Sequence, residues 1–497
     1  MTVRRVRAIT HSVAARWSSP LWTVAGLLAL SELVYVTLVC FDATGTAESV
    51  VEFIALIAIL FVFYGTAYGV LRTLRAQRRS AIVLIIAGAV LFRFTLLFAS
   101  FPHHSTYKEI ASAVRADVRA EAVTYDSFLL FDNDIWRYLW DGHVAAGGIN
   151  PYAFEPRSPA LDSLADSTDG HTLWGDIRAN VNHPDIPTIY PPLAQLMFRV
   201  AHALAPGSVF IMKLLLVLLD LTTVLLVGLS LRALNRPVTH VVLYAWNPLV
   251  IKVVAASGHV DALLAMLLAA TVYFVIRGWR SQAAIAWGLS VLVKISPFVL
   301  LPFLMWRLGW RRTAMGVAVV VIGYVPHLDS KGTAFVGLRT FASEWQFNSG
   351  FFSLVEWLAS YFSSAPILVA KIAALVIFLI LMAWIIYRDD RKNNTFALCS
   401  LTALGGMLVL SPSVMPWYLV SLLPLAVIAR SSSWIQFSLL VCLAFLVMID
   451  GRERTWVLWI EYGVMAVLLS REYLSSQYRA KVLTWPRCLA QKTRQHV

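Results

Sequence analysis

Charge is scarce in this chain. Only 14% of its 497 residues are Asp, Glu, Lys or Arg, against about a quarter in an ordinary soluble domain. With 59% hydrophobic residues beside it, that shortage excludes a water-soluble globule. Cysteine is scarce too: Cys40, Cys399, Cys442 and Cys488 lie in or beside apolar segments or in the tail, so no extracytoplasmic disulfide framework is implied. Gly-rich phosphate loops, HExxH and paired CxxC motifs do not occur and no internal repeat is apparent, which leaves a cytosolic-type nucleotide site without support. The 28 acids are outnumbered by 41 bases, for a formal charge of +13. A nucleic-acid binder would gather that surplus on a polar surface. Here it falls in short tracts between apolar runs.

Those runs are what the chain has in abundance. They measure about 15 to 24 residues, the length a helix needs to cross a hydrocarbon core at about 1.5 Å per residue. Backbone groups in lipid must bond within their own segment, so each run is expected to be helical. Three come first (20–42, 50–72, 81–101), and after a polar stretch they resume at 208–231, 238–256, 259–277, 281–306, 312–327, 367–387, 396–411, 415–430, 434–449 and 455–470. Segment 281–306 is expected to be a broken pair of half-spans turning near Lys294 and Pro297, because only then do Arg307, Arg311 and Arg312 share a side with Arg232, Arg236 and the basic tail. The expected fold is an all-α polytopic membrane protein of 12–14 transmembrane helices, both termini cytoplasmic. Met1 to Trp17 carries four Arg and no acid, and the apolar run behind it lacks a small-residue cleavage site, which reads as a retained first span. The expected organisation is a basic N-terminus (1–19), three spans (20–101), an extracytoplasmic loop with interfacial helices (102–207), a transmembrane core (208–327), a second extracytoplasmic loop (328–366), C-terminal spans (367–470) and a basic tail (471–497).

Residues 101–190 hold 13 acids and six bases, nearly half of all the acids in under a fifth of the length. Loops this long without function are uncommon. Asp132, Asp134 and Asp141 alternate there with Trp136, Tyr138 and Trp140. Ile135 to Val144 reads as a helix, since Trp136 and Trp140 are four apart and share a face. Asp134 at its start is either a helix cap or a carboxylate facing a substrate. Asn182 to Phe198 is stiffened by Pro184, Pro187, Pro191 and Pro192; it either returns the loop to the interface or lines a sugar site through His183, Asp185 and Tyr190. Ionisable groups inside spans are costly and therefore functional candidates. Arg93, Lys213, Asp220, Lys252, His259, Asp261 and Lys294 qualify, although Lys213 and Lys252 could equally snorkel to the interface. Cations at outer-leaflet depth beneath an acidic loop suit a lipid-linked anion below and a neutral, hydroxyl-rich group above.

The motifs in order resemble the polyprenyl-phosphate-dependent membrane glycosyltransferases of the C superfamily (GT-C), in particular the bacterial mannosyltransferase-like branch. They are Asp132-Asn133-Asp134, Arg137-Tyr138-Leu139-Trp140-Asp141-Gly142, Gly148-Ile149-Asn150-Pro151-Tyr152, the run Asn182 to Pro192, Ser257-Gly258-His259-Val260-Asp261, Lys294 with Pro297, Trp345-Gln346-Phe347-Asn348, and Ser411-Pro412 to Pro416-Trp417-Tyr418. They span about residues 85 to 430. Met415 departs from the pattern, where His often precedes Pro-Trp-Tyr. The resemblance implies inverting transfer of a hexose, with mannose the expected sugar, from a polyprenyl-phosphate donor to a glycan or glycolipid acceptor at the outer face of the plasma (inner) membrane. It implies a loop carboxylate as general base, Asp134 first, then Asp132, then Asp141. Donor phosphate would meet Arg93, Lys213, Lys252, His259 and Lys294. Sugar or acceptor would meet Arg137, Tyr138, Trp140, Asn150, His183, Tyr190, Asp261, Trp345, Asn348 and Trp417. Membrane lipid is the other expected partner, and nucleic acid is not one. No cofactor is demanded, while a divalent cation on Asp132 and Asp134 with His143 or His183 stays open. Two other functions stay open as well: a secondary transporter, suggested by the broken 281–306 segment with intramembrane Lys213, Asp220 and Lys294, and a lipid-linked-glycan polymerase or ligase.

Overall fold

The computed structural model describes residues 19–74, 78–99, 107–119, 130–165, 172–328 and 332–493. The Arg-rich stretch Met1 to Trp17 and Arg75, between the second and third apolar runs, lie outside the described residues. Apart from an isolated bridge between Phe347 and Ser413, every regular element among the described residues is helical. The first helices are α1 (Ser19–Val39), α2 (Ala47–Leu71) and α3 (Arg78–Leu96). The loop region contributes α4 (Tyr107–Val118), α5 (Asp134–Ala146), α6 (Leu173–Ala179) and α7 (Pro192–Leu204). The core follows as α8 (Val209–Ala233), the bent pair α9 (Val238–Ala245) and α10 (Pro248–Ala256), α11 (Asp261–Ile276), α12 (Arg280–Val291), α13 (Ser296–Leu308) and α14 (Trp310–Tyr324). Next come α15 (Val336–Glu344), α16 (Gly350–Ala359), α17 (Pro366–Arg388), α18 (Phe396–Leu410), α19 (Pro416–Ala429), α20 (Ser432–Ile449) and α21 (Thr455–Thr493).

Local chemistry explains the boundaries that matter for the site. Ser208 caps α8 by accepting from the Ile211 amide, and Thr46 caps α2 by accepting from that of Ser49. The 54° bend between α9 and α10 falls at Trp246-Asn247-Pro248. Asn247 takes the Leu249 and Val250 amides at 3.1 and 3.3 Å and donates to Ser438 Oγ at 2.9 Å, while Pro248 suits a first helical position. The break in 281–306 lies where the sequence placed it, between α12 and α13. Trp287 Nε1 donates to Pro297 O at 2.7 Å across that turn, and Leu292 O accepts the Leu193 amide of α7 at 2.8 Å. The turn carrying Lys294 is thereby tied to the loop helices.

An all-α polytopic membrane protein is what results. By length and composition, six helices (α1, α2, α3, α8, α17, α20) suffice to cross a membrane, and the bent pair α9–α10 makes seven. Other runs in the expected set of 12–14 fold as apolar helices of 10–17 residues, among them α11, α13, α18 and α19. At about 1.5 Å per residue these fall short of a core about 30 Å thick, so they cross it only in combination.

Two intramembrane cations expected at the donor phosphate are turned inward instead. Arg93 is fully buried, its Nε donating to Asp220 Oδ2 at 2.5 Å and its guanidinium to the carbonyls of Ala89 and Ala245 at 3.0 and 2.7 Å. Tyr244 OH closes the group onto the other oxygen of Asp220. This cluster fastens α3 to α8 and α9. Lys213, also fully buried, donates to Leu97 O at 3.0 Å and Leu96 O at 3.4 Å, capping carbonyls left open at the end of α3. Glu32 of α1 accepts a hydrogen bond from Thr95 Oγ1 of α3.

Candidate active site

The site is assembled where α5 meets α7. Gly142 permits that approach: a Cβ there would stand 2.6 Å from Phe198 O. Arg137 and Asp141, one turn apart on α5, pair at 2.9 Å. Arg137 also donates to Ile186 O at 3.0 Å, and Asp141 accepts from Gln195 Nε2 at 2.9 Å. Both serve to hold the Pro-rich segment against α5. Asp141, the third-ranked base, is buried with both oxygens engaged and lies outside the cavity, so its expected catalytic place is corrected to scaffolding.

Asp134 is differently placed. The N-cap position belongs to Asn133, which makes no side-chain cap bond, and Asp134 is the first helical residue. Its carboxylate therefore turns to the Pro-rich segment, where Oδ1 accepts from Asn182 Nδ2 at 2.6 Å and Oδ2 from Tyr190 OH at 3.1 Å. Asp132, two residues earlier and almost fully buried, accepts a hydrogen bond from His259 Nε2 and has Lys252 Nζ at 3.9 Å. His259 Nδ1 faces Asp134 Oδ2 at 3.6 Å, and the ring stacks on Trp417, centroids 4.5 Å apart. The two carboxyls diverge in proton affinity. Burial works to raise Asp132, but His259 and Lys252 outweigh it and hold it below the ordinary carboxylate range. Burial, and after it the charge of Asp132, raise Asp134 despite the opposing pull of His259. Opposite shifts in neighbouring carboxyls are a usual sign of divided roles.

A cavity of about 650 Å³ opens over Asp134. Its polar end shows Asp132, Asp134, Asn182, Tyr190, Asp261 and Lys294. Its opposite wall is apolar, built from Leu264 and Leu268 of α11, Leu338 and Phe341 of α15, and Leu404 and Met407 of α18. Two full cations line it. Arg137 is spent as above; Lys294 is held by both oxygens of Asp261 (2.9 and 2.7 Å), lies over the Tyr418 ring at 4.6 Å and keeps 19% of its side chain exposed. The two loop regions meet in the lining, His183 against Trp345 at 4.4 Å. Behind it, Phe347 exchanges backbone bonds with Pro412 O and the Val414 amide (3.0 and 2.8 Å), fixing the stretch that carries Met415 into the lining.

Of the expected site residues, Asp132, Asp134, Arg137, His183, Tyr190, Asp261, Lys294, Trp345 and Trp417 line this cavity. Lys252 and His259 lie behind Asp132 rather than in the cavity wall. Tyr138 is sandwiched by Phe198 and Tyr190, Trp140 is buried beneath Arg178, and Asn150 bonds His327 O at 3.2 Å, so these three build the scaffold. Asn348 likewise faces away, donating to Glu461 of α21 at 2.8 Å. Asn182 and Tyr418 stand in the quoted motifs but not among the expected site residues; only the folded chain brings them to Asp134 and Lys294.

The open cation alternative is altered in its histidine. His143 stacks on Trp174 and bonds His202, and His183 meets Trp345; the imidazole beside Asp132 and Asp134 is His259, and ligand atoms of the three lie within 4.8 Å of one another. The ammonium of Lys252, 3.9 Å from Asp132, already answers that carboxylate and opposes a second positive ion beside it.

No curated protein matches the chain. Residues 71–309 match the family described as Alpha-(1->6)-mannopyranosyltransferase, N-terminal domain. That stretch holds α5, the Pro-rich segment, His259, Asp261 and Lys294, hence most of the polar end of the cavity. Over that stretch the chain is similar to the alpha-(1->6)-mannopyranosyltransferase family, which supports a mannosyltransferase-like membrane protein.

Proposed function

We propose that the chain transfers mannose, with inversion, from a polyprenyl-phosphate donor to a glycan or glycolipid acceptor at the extracytoplasmic face of the plasma (inner) membrane. Asp134 is the general base in this reading and Lys294 receives the donor phosphate. One observation carries it: a single cavity joins a carboxylate of raised proton affinity, an accessible lysine and a wall of aliphatic side chains. A hydroxyl is a poor nucleophile until its proton is drawn off, and a placed base is worth roughly 10²–10⁴-fold. The phosphate leaves without a proton, so no second carboxylic acid of the glycoside-hydrolase kind is required. Its growing charge needs a cation fixed beforehand in a site poor in water. Lys294 answers to that, its ammonium shared between Asp261 and the Tyr418 ring until an anion arrives. The leucines opposite suit a prenyl chain, and Tyr190, Trp345 and Trp417 offer faces for sugar rings.

Incubating the reconstituted protein with a panel of polyprenyl-phosphate sugars and scoring released polyprenyl phosphate tests the reading. Release from the mannosyl lipid is expected to dominate. A protein that instead moves solute across vesicles and releases nothing is a transporter, and growth of long products marks a polymerase.

A further inference from the structure

We propose that His259 is the proton store of the transfer reaction, a buried imidazole anchored by Asp132 that relieves Asp134 of the proton taken from the acceptor hydroxyl. This rests on the mannosyl-transfer reading with Asp134 as base. His259 is fully buried and absent from the cavity lining, so it does not touch the donor phosphate; what it touches is the two carboxylates.

Its hydrogen bond to Asp132 fixes one ring proton. A carboxylate only accepts, so the proton between His259 Nε2 and Asp132 Oδ2 sits on nitrogen, and in the resting state proposed here Nδ1 carries none. That second nitrogen faces Asp134 Oδ2 at 3.6 Å, with Tyr138 OH at 3.5 Å beside it. The arrangement is a carboxylate holding one ring nitrogen while the other serves a reacting group, the logic of an Asp–His couple behind a nucleophile, here behind a base. The ring has little freedom. Trp417 stacks on it, and Gly258, at φ +72°, turns the chain where a Cβ would stand 2.8 Å from Ile135.

Lys252 opens a π-helical turn at 252–256, lies 4.4 Å over the Phe445 ring and has no hydrogen-bond partner among the described residues, which leaves the charge of Asp132 as what it answers. The remaining groups facing the cluster are Tyr138, Tyr190, Tyr418 and Cys442. Imidazole is the side chain suited to exchange a proton near neutrality.

The step balances as follows. The acceptor O–H bond breaks and its oxygen bonds the anomeric carbon. The anomeric C–O bond to phosphate breaks, its electron pair going to phosphate. The proton passes to Asp134 Oδ2 and on to His259 Nδ1, a gap that must close by about 0.5 Å to reach hydrogen-bond range. Stored there, the proton is withdrawn from the cavity in which the new phosphate lies, and the reverse reaction loses its acid.

The test is initial-rate release of polyprenyl phosphate by the reconstituted full chain in H₂O–D₂O mixtures, for wild type and His259→Gln. Gln keeps an N–H for Asp132 and has no basic nitrogen. The relay predicts a kcat lower by about 100-fold with both KM values within about threefold, and a proton inventory that changes from curved to linear. Should His259→Gln not fold, Asp132→Ala, which removes the anchor, is expected to change the inventory in the same way. Wild-type kcat in His259→Gln, or a loss of rate with the inventory still curved, overturns the relay. A wild-type protein that releases no polyprenyl phosphate from any donor overturns the mannosyl-transfer reading itself, an outcome distinct from either.

Discussion

Two groups of buried ions, Arg93 with Asp220 and Lys294 with Asp261 beside Asp134, look alike in sequence and differ in what is left over. Arg93 and Asp220 are both fully buried among the carbonyls of Ala89 and Ala245 and the hydroxyl of Tyr244, with Arg93 Nη2 alone unbonded among the described atoms of the cluster. Nothing can approach. Lys294 keeps 19% of its side chain exposed and Asp134 18%, both toward one cavity. An ion inside a membrane protein is costly in either case. The closed cluster offsets that cost by joining helices; the open one leaves charge available to a ligand. Unspent valence toward a cavity, rather than burial, separates the site from the scaffold.

Exchanging the two roles by mutation is the way to break this contrast. The largest effect on transfer is expected for Asp134→Asn, a fall of roughly 10²–10⁴ in kcat with folded yield intact. In the wild type the rate should decline as pH drops through a value above the ordinary carboxylate range, because the base must be ionised and burial raises its proton affinity. Stability runs in the opposite sense: a raised carboxyl stabilises the fold at low pH and loses that contribution as pH rises through its folded value. Asp134→Asn should therefore melt no lower than wild type at neutral pH, and a marked drop in melting temperature would make Asp134 a structural residue. Second, Lys294→Ala should lower donor use by about 10²-fold while the acceptor KM holds, and an acceptor defect alone would count against the phosphate assignment. Smallest in transfer, and largest in stability, is Arg93→Met. Breaking a buried pair from one side costs about 3–5 kcal/mol, so yield should collapse while turnover per folded molecule stays near wild type. Adding Asp220→Leu should restore much of the yield, and a turnover defect persisting in that double variant would move Arg93 back to the site.

The helices were legible because hydropathy and length report on the bilayer directly, and α5 because Trp136 and Trp140 share a face. Asp134 could be named from its motif but not cleared of the capping role, since the answer lay with Asn182 and Tyr190, 48 and 56 residues away. The same distance hid the partners of the cations. Asp132 meets His259 across 127 residues, and so does Arg93 meet Asp220; no local pattern encodes either pairing. Asp141, third in rank from its motif, has both its oxygens consumed by Gln195 and Arg137. Sequence identifies which residues are able to do chemistry, and tertiary pairing decides which of them are free to.

The occupancy of the cavity is open to direct measurement with a polyprenyl-phosphate mannose carrying a photoreactive group on the isoprene next to the phosphate. Labelling of wild-type protein should fall on the Leu404–Leu408 stretch and around Phe341, and should disappear when unlabelled donor competes. Labelling confined to the outer faces of α1 or α17, or indifferent to the competitor, would contradict a lipid-phosphate sugar seated beside Asp134.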